Sequence, residues 1–300
     1  MLKPENVRTI ADARKIVTER KLTHVKVGLF DIDGVLRGKY MSKEKFFSAL
    51  DGGFGFCDVV LGWDSNDQLI DNLSYTGWHT AYPDAFVRII PNTCRELPFE
   101  DGMLFFICEF TGAAESICPR GLLRRVLAKA GKMGFNVSAA LEYEFFVFDE
   151  TPESVRAKGY RDLQPLTPGY FGYSGLRSSV HAELYADILA MCEQMRMPIE
   201  GLHTETGPGV LEAALTYCEA LESADRGAMF KTFLKVLMQR RSLMATFMAK
   251  WSPNWPGQSG HIHISMQHKG GKSAFHDPRH KHGMSKLMQQ NQYMQKQNQE

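Results

Sequence analysis

Glu142-Tyr143-Glu144 sets two carboxylates two residues apart in an otherwise apolar run, with Ala139-Ala140-Leu141 before it and Phe145-Phe146-Val147-Phe148 after it. On a strand, residues i and i+2 share a face, so both acids point the same way. Burying an unpaired carboxylate is costly, and two adjacent ones also repel. A divalent cation removes both problems, and carboxylate oxygens are the ligands that Mg²⁺ or Mn²⁺ prefers. The alternative is a solvated face on which the acids do nothing. A second stretch, Ile199 to Glu212, contains Glu200, Glu205, a Gly207-Pro208-Gly209 turn and Glu212. It reads as a strand, a tight reversal and a helix. Glu205 then sits at the strand end and Glu212 in the first helical turn, where a capping acid would also be at home. The third stretch, Gly257-Gln258-Ser259-Gly260-His261-Ile262-His263-Ile264-Ser265, puts His261, His263 and Ser265 on one face of a strand that follows a Gly-rich loop. A lone histidine is usually a satisfied surface or core residue; two alternating with a serine are harder to dismiss.

The elements that must position these groups change character along the chain. Residues 5–20 read as a short polar helix, and the first hundred residues are β-rich. Asp33-Gly34, between Val25–Phe30 and Val35–Tyr40, is a hairpin signal because both residues tolerate positive φ. After Cys118-Pro119-Arg120, the spacing predicts a helix over Leu122–Met133 and a strand over Val137–Phe148. It further predicts helices over Ser178–Gln194, Leu211–Ala220 and Asp225–Arg240. Strands are expected at Ile199–Thr204, Ala245–Trp251 and His261–Met266, with Ser252–Gly260 a loop. Gln289–Glu300 is rich in Gln and Asn and predicts no packed element.

With 35 basic and 34 acidic residues, no global field draws the chain to nucleic acid or anionic lipid. No run approaches the roughly 20 apolar residues of a membrane span, and Met1–Arg20 lacks the apolar region of a signal peptide. A cytoplasmic enzyme is the expectation. The six scattered cysteines contain no C-x-x-C pair and read as reduced, buried small hydrophobes.

In this order, E-x-E on a strand, E-x₆-E around a Gly turn and G-x-x-G-H-x-H-x-S, the three stretches resemble the glutamine synthetase family, from about Val25 to Gln290. Ala224-Asp225-Arg226 and Ala245-Thr246-Phe247-Met248-Ala249-Lys250 add to the likeness. The resemblance implies an α+β fold: a small β-grasp-like N-terminal domain with a leading helix (residues 1–112), then a catalytic domain of curved antiparallel strands backed by helices (residues 113–300). It implies ATP-dependent ligation of ammonia or a small amine to the γ-carboxylate of glutamate through γ-glutamyl phosphate. Two Mg²⁺ or Mn²⁺ ions would serve, one held by Glu144, Glu205 and Glu212, the other by Glu142 and His261. Glu200, His263 and Ser265 fall where the family contacts ATP, and Gly257 falls on the loop that meets glutamate. Asp58 (or Asp64) is the candidate for the acidic residue that a neighbouring subunit contributes to the ammonium site, in a ring-shaped homo-oligomer, a dodecamer by resemblance. The family's catalytic domain normally continues further, with another acidic metal ligand and several arginines. Without that region the chain is expected to be a fragment or variant, or its nucleotide site incomplete.

Two rival readings remain. Phe30-Asp31-Ile32-Asp33-Gly34-Val35 mimics the D-x-D-G-V of haloacid-dehalogenase-type phosphatases, in which an Asp at a strand end is the nucleophile. A non-catalytic relative could also use the fold as a scaffold or regulatory subunit.

Overall fold

A computed structural model describes the backbone of residues 1–297 and the side chains of residues 1–292. Helix α1 (Ile10–Glu19) starts at a capping box between Thr9 and Asp12. It is followed by β1 (His24–Phe30), β2 (Leu36–Ser42), α2 (Lys43–Gly52), β3 (Phe54–Cys57), β4 (Asp84–Ile89), β5 (Arg95–Glu96) and β6 (Leu104–Phe110). These strands form one sheet in the order β2-β1-β6-β4-β3, with β5 also on β6; only the β1–β6 pairing is parallel. The Asp33-Gly34 hairpin forms as expected, with Phe30 opposite Leu36 and Gly34 at φ +76°.

That hairpin disposes of the phosphatase reading. Asp31 is fully buried, and its Oδ1 accepts the N–H groups of Asp33 and Val35 at 3.0 and 2.9 Å. Its Oδ2 accepts from Arg37 Nε at 2.7 Å. A carboxylate so fully engaged ties a turn together and is not available as a nucleophile.

The second half contains α3 (Pro119–Lys132), β7 (Phe135–Phe148), α4 (Pro152–Ala157), α5 (Gly175–Val180), α6 (Ala182–Gln194), β8 (Ile199–Thr204), β9 (Val210–Leu215), β10 (Cys218–Glu219), α7 (Ala220–Arg240), β11 (Met244–Thr246), β12 (Gly260–His268) and α8 (Lys286–Gln297). Its curled antiparallel sheet is organised on the 14-residue β7. One edge of β7 takes β12 and then β11; the other takes β10 and then β9, with β8 beyond β9.

Four expectations are corrected here. Leu211–Ala220 is not a helix: Val210–Leu215 is a strand clamped between β7 and β8. The helix expected over Ser178–Gln194 breaks at His181 (φ −102°, ψ 27°) into α5 and α6. The Ala245–Trp251 strand shortens to Met244–Thr246. The Gln289–Glu300 tail is helical as far as Gln297, and residues 298–300 lie outside the described residues.

Strand β6 is buried on both faces and divides the interior. Leu104, Phe106, Cys108 and Phe110 pack with Ile16, Val17, Phe46 and Leu50 under α1 and α2. Phe105 and Ile107 turn the other way, joining Phe145, Val147, Ile188, Phe230 and Leu234 beneath α6 and α7. An ion network ties the same elements. Arg120 on α3 grips Asp225 on α7 through Nε and Nη2 (2.9 and 3.0 Å) and Glu109 on β6 through Nη1 (2.6 Å). Burial alone would raise both carboxyls. The guanidinium groups of Arg88 and Arg120 bring Glu109 below its ordinary range, whereas Asp225 stays above its own. Cys94, Cys108, Cys118 and Cys192 are buried free thiols, as expected, and burial pushes Cys192 up to about 12; Cys57 and Cys218 are free as well but only half-buried, against that expectation. Among the described residues no helix is long and apolar enough to cross a membrane.

Candidate metal and nucleotide site

Strand register builds the site. Alternation on β7 turns Tyr143 and Phe145 into the core and leaves Glu142 and Glu144 on the opposite face. His261 on β12 lies directly across from Glu142, Glu212 on β9 across from Glu144, and His203 on β8 across from Glu212. A row of acids and imidazoles therefore crosses four neighbouring strands on one side of the sheet. Gly260 permits this approach: a Cβ there would lie 2.6 Å from the carbonyl oxygen of Glu142.

The side chains draw together along the row. Glu142 Oε2 lies 3.2 Å from His261 Nδ1 and 3.1 Å from His263 Nε2. Glu212 Oε2 lies 3.5 Å from His203 Nε2, and Glu205, just beyond β8, has Oε2 3.8 Å from His203 Nδ1. Two sets of donor atoms fall within 4.8 Å of one another: Glu142, Glu212 and His261 in one, and His203, Glu205 and Glu212 in the other. Glu212 belongs to both. The carboxylate of Glu144 accepts the N–H and the Oγ–H of Ser259, each at 3.0 Å. It remains close enough to act on Glu212, whose carboxyl is pushed above its usual range by burial first and then by Glu144, Glu142 and Glu205, with His203 opposing. Excess negative charge gathered beside imidazoles is what a divalent cation neutralises, and the preponderance of carboxylate oxygens suits Mg²⁺ or Mn²⁺.

The remaining expected residues are placed as follows. His263 and Ser265 line a cavity of about 390 Å³, and the exposed ring of Tyr217 lines it too. Glu200 sits at the bulge between Ile199 and Gly201, exposed and away from that cavity's wall. Gly257 lies on the loop before β12, where a Cβ would meet Ala249 O at 2.8 Å. Asp58 is buried at the start of a short 3-10 turn (Asp58–Leu61) just after β3 and accepts from Thr76 Oγ1 at 2.7 Å; Asp64 accepts the N–H groups of Asn66 and Gln68. Glu212 reaches the site from a strand rather than from a helix start. Sequence reasoning missed His203 and Tyr217. His203 precedes Glu205 by two residues, the same-face spacing that identified Glu142 and Glu144, and could have been found; Tyr173 now stacks on it at 4.2 Å. Nothing in the local sequence marks Tyr217.

Residues 116–292 match the family described as "Glutamine synthetase, catalytic domain". The chain belongs to the glutamine synthetase family. Within that family it is 43% identical over 267 residues to type-1 glutamine synthetase 2 of Dictyostelium discoideum, an alignment covering 87% of this chain and 51% of the relative. It is 31% identical over 290 residues to the glutamate–isopropylamine ligase of a Pseudomonas species, covering 94% and 62%. A solved GmaS/ADP complex superposes with a TM-score of 0.75 at 22% identity, over 91% of this chain and 59% of the other. This member of the glutamine synthetase family thus spans between half and two thirds of the length of these relatives, and the structural likeness shows the α+β fold it shares with them.

Proposed function

We propose that the chain carries the cation and nucleotide centre of an ATP-dependent ligase that joins ammonia or a small amine to the γ-carboxylate of glutamate. The observation that carries this reading is the convergence of two donor sets on Glu212. Glu142, Glu212 and His261 would hold one Mg²⁺ or Mn²⁺, and His203, Glu205 and Glu212 the other, with Glu144 adding charge from its place on Ser259. Two cations there would screen the triphosphate and align it with the acceptor.

A carboxylate is a poor electrophile, so the reaction needs an activated acyl group. The γ-phosphoryl group passes to glutamate's side-chain carboxylate, ADP leaves, the amine attacks the resulting acyl phosphate, and inorganic phosphate departs. His263 and Ser265 orient the nucleotide with the ring of Tyr217 beneath its base, and the Gly257 loop meets glutamate. Glu200, which the family likeness also assigns to ATP, is exposed on β8 and does not line the cavity of His263 and Ser265, so its part in nucleotide binding rests on the likeness alone. Asp58, the residue the family likeness suggests for deprotonating ammonium across a subunit boundary in a ring-shaped homo-oligomer, is buried against Thr76 here, so that role is not carried by its present position. The relative named for isopropylamine supports testing amines beyond ammonia.

The test supplies glutamate, ATP and Mg²⁺ with a panel of ammonia, methylamine, isopropylamine and ethanolamine, and measures phosphate release and the γ-glutamyl product. Release that needs both glutamate and one of the amines is expected. Bound ATP and metal with no turnover for any amine would favour the scaffold reading instead. Tyr217→Ala is expected to weaken ATP binding by roughly 10- to 100-fold, the scale of one aromatic stacking contact with a base. An unchanged Kd in a fluorescence titration would remove Tyr217 from the nucleotide site.

A further inference from the structure

The face of β7 opposite the acids carries a different feature. Lys231 and Lys235 stand one turn apart on α7, and their ammonium groups lie 5.6 and 5.8 Å from the centre of the same Phe247 ring. Phe247 packs on Tyr143 and Phe145, the core-facing residues of β7, with ring centres 5.6 and 5.5 Å apart. Lys235 lies on this side of the sheet only, whereas Lys231 also lines a smaller cavity at the β7–β12 edge together with Glu142, Glu144 and His261.

Both lysines line a cavity of about 690 Å³ bounded by the β1–β2 turn (Asp33 and Gly34) on one side and by α7 and β11 on the other. Ser65, Gln239 and Thr246 line it too, adding neutral hydrogen-bonding groups. Among the described residues no carboxylate pairs with either ammonium group. Burial and the neighbouring Lys231 pull the amine of Lys235 below the usual lysine range. Two like charges held on one ring over a cavity repel until an anion comes between them. Ammonium groups bind phosphate as point charges, and a tetrahedral phosphoryl group has enough acceptor oxygens to meet two lysines and a hydroxyl together. Asp33 on the far wall disfavours extended polyanions and leaves room for a compact one.

We propose that this cavity is a second ligand site, in which Lys231 and Lys235 bind a compact phosphoryl anion between the β1–β2 turn and α7. Because the site joins the two halves of the chain, its occupancy would bear on their relative placement rather than on the chemistry directly.

The test uses the full chain in EDTA, so that no metal carries phosphate to the acid face. Lysine acetylation is followed residue by residue by peptide mass spectrometry, with and without pyrophosphate. Pyrophosphate is expected to slow labelling of Lys231 and Lys235 by about tenfold, the scale of one charge-assisted hydrogen bond, and to leave exposed Lys129 unchanged. Calorimetry should then show at least a tenfold loss of pyrophosphate affinity in Lys231→Gln/Lys235→Gln, and affinity retained in Lys235→Arg. Absence of site-specific protection in the unaltered protein would overturn the proposal without recourse to any variant. Tighter binding of citrate than of pyrophosphate would overturn the phosphoryl assignment.

Discussion

Glu212→Gln is expected to weaken binding of both cations and to lower glutamate-dependent turnover by roughly 10²- to 10³-fold, the scale of removing one group that stabilises developing charge. The substitution keeps the side chain's shape and one oxygen but removes the charge that serves His261 and Glu142 on one side and His203 and Glu205 on the other. Glu144→Ala provides the contrast. Its carboxylate is engaged by Ser259, so its loss should affect one cation and spare the other. Mn²⁺ titration followed by electron paramagnetic resonance separates the cases by stoichiometry. Two Mn²⁺ ions bound with unaltered affinity by Glu212→Gln would show that the shared-ligand reading is wrong, whatever the activity of the chain.

The second large effect concerns stability. Arg120→Met removes the one cation that, among the described residues, touches both Glu109 and Asp225, whose side chains are 0% and 3% exposed. Removing one partner from a buried ion pair costs about 3–5 kcal/mol; here the charge left desolvated without a partner among the described residues is Asp225, since Glu109 keeps Arg88 and Arg124. For a chain of this size that corresponds to a fall in Tm of roughly 10 °C. The pH dependence follows from the shifts. Glu109 is held below its ordinary range, so its contribution is present above the unfolded carboxyl pKa and is lost as pH falls through the folded value. Arg88 keeps part of that depression in the variant, so the gap between the parent and Arg120→Met comes mainly from Asp225, which burial already raises. That gap should be widest near neutrality and narrow as pH falls toward and below about 4, where protonation of Asp225 relieves the stranded charge in Arg120→Met. Calorimetric scans at several pH values measure this; equal Tm values at pH 7 would mean that the network carries no stability.

Much of the fold was legible because its signals are local. Asp33-Gly34 supplies the left-handed residue a tight hairpin needs, and the Phe-rich run of β7 and the span of β8 follow from apolar pattern and β-branched content. Val210–Leu215 was misread because Leu, Glu and Ala favour helix, and their preference of a few tenths of a kcal/mol per residue is overridden when a segment is hydrogen-bonded on both edges. At the site, residue types were readable and register was not. Nothing in the sequence alone places Glu212 opposite Glu144 or His261 opposite Glu142, since a shift of one residue would turn each to the other face. Register is also what brings Glu212 within reach of both candidate donor sets and sets His203 beside it, a proximity the family likeness did not suggest.

Because Phe105 and Ile107 leave β6 to pack beneath α7, the two sheets are not separate bodies joined by a strap. Swinging them apart would bring those side chains into water, so an opening hinge is disfavoured. The low-cost displacement left to the molecule is shear: small sliding of α7 along β6, with interdigitated side chains exchanging neighbours but staying dry.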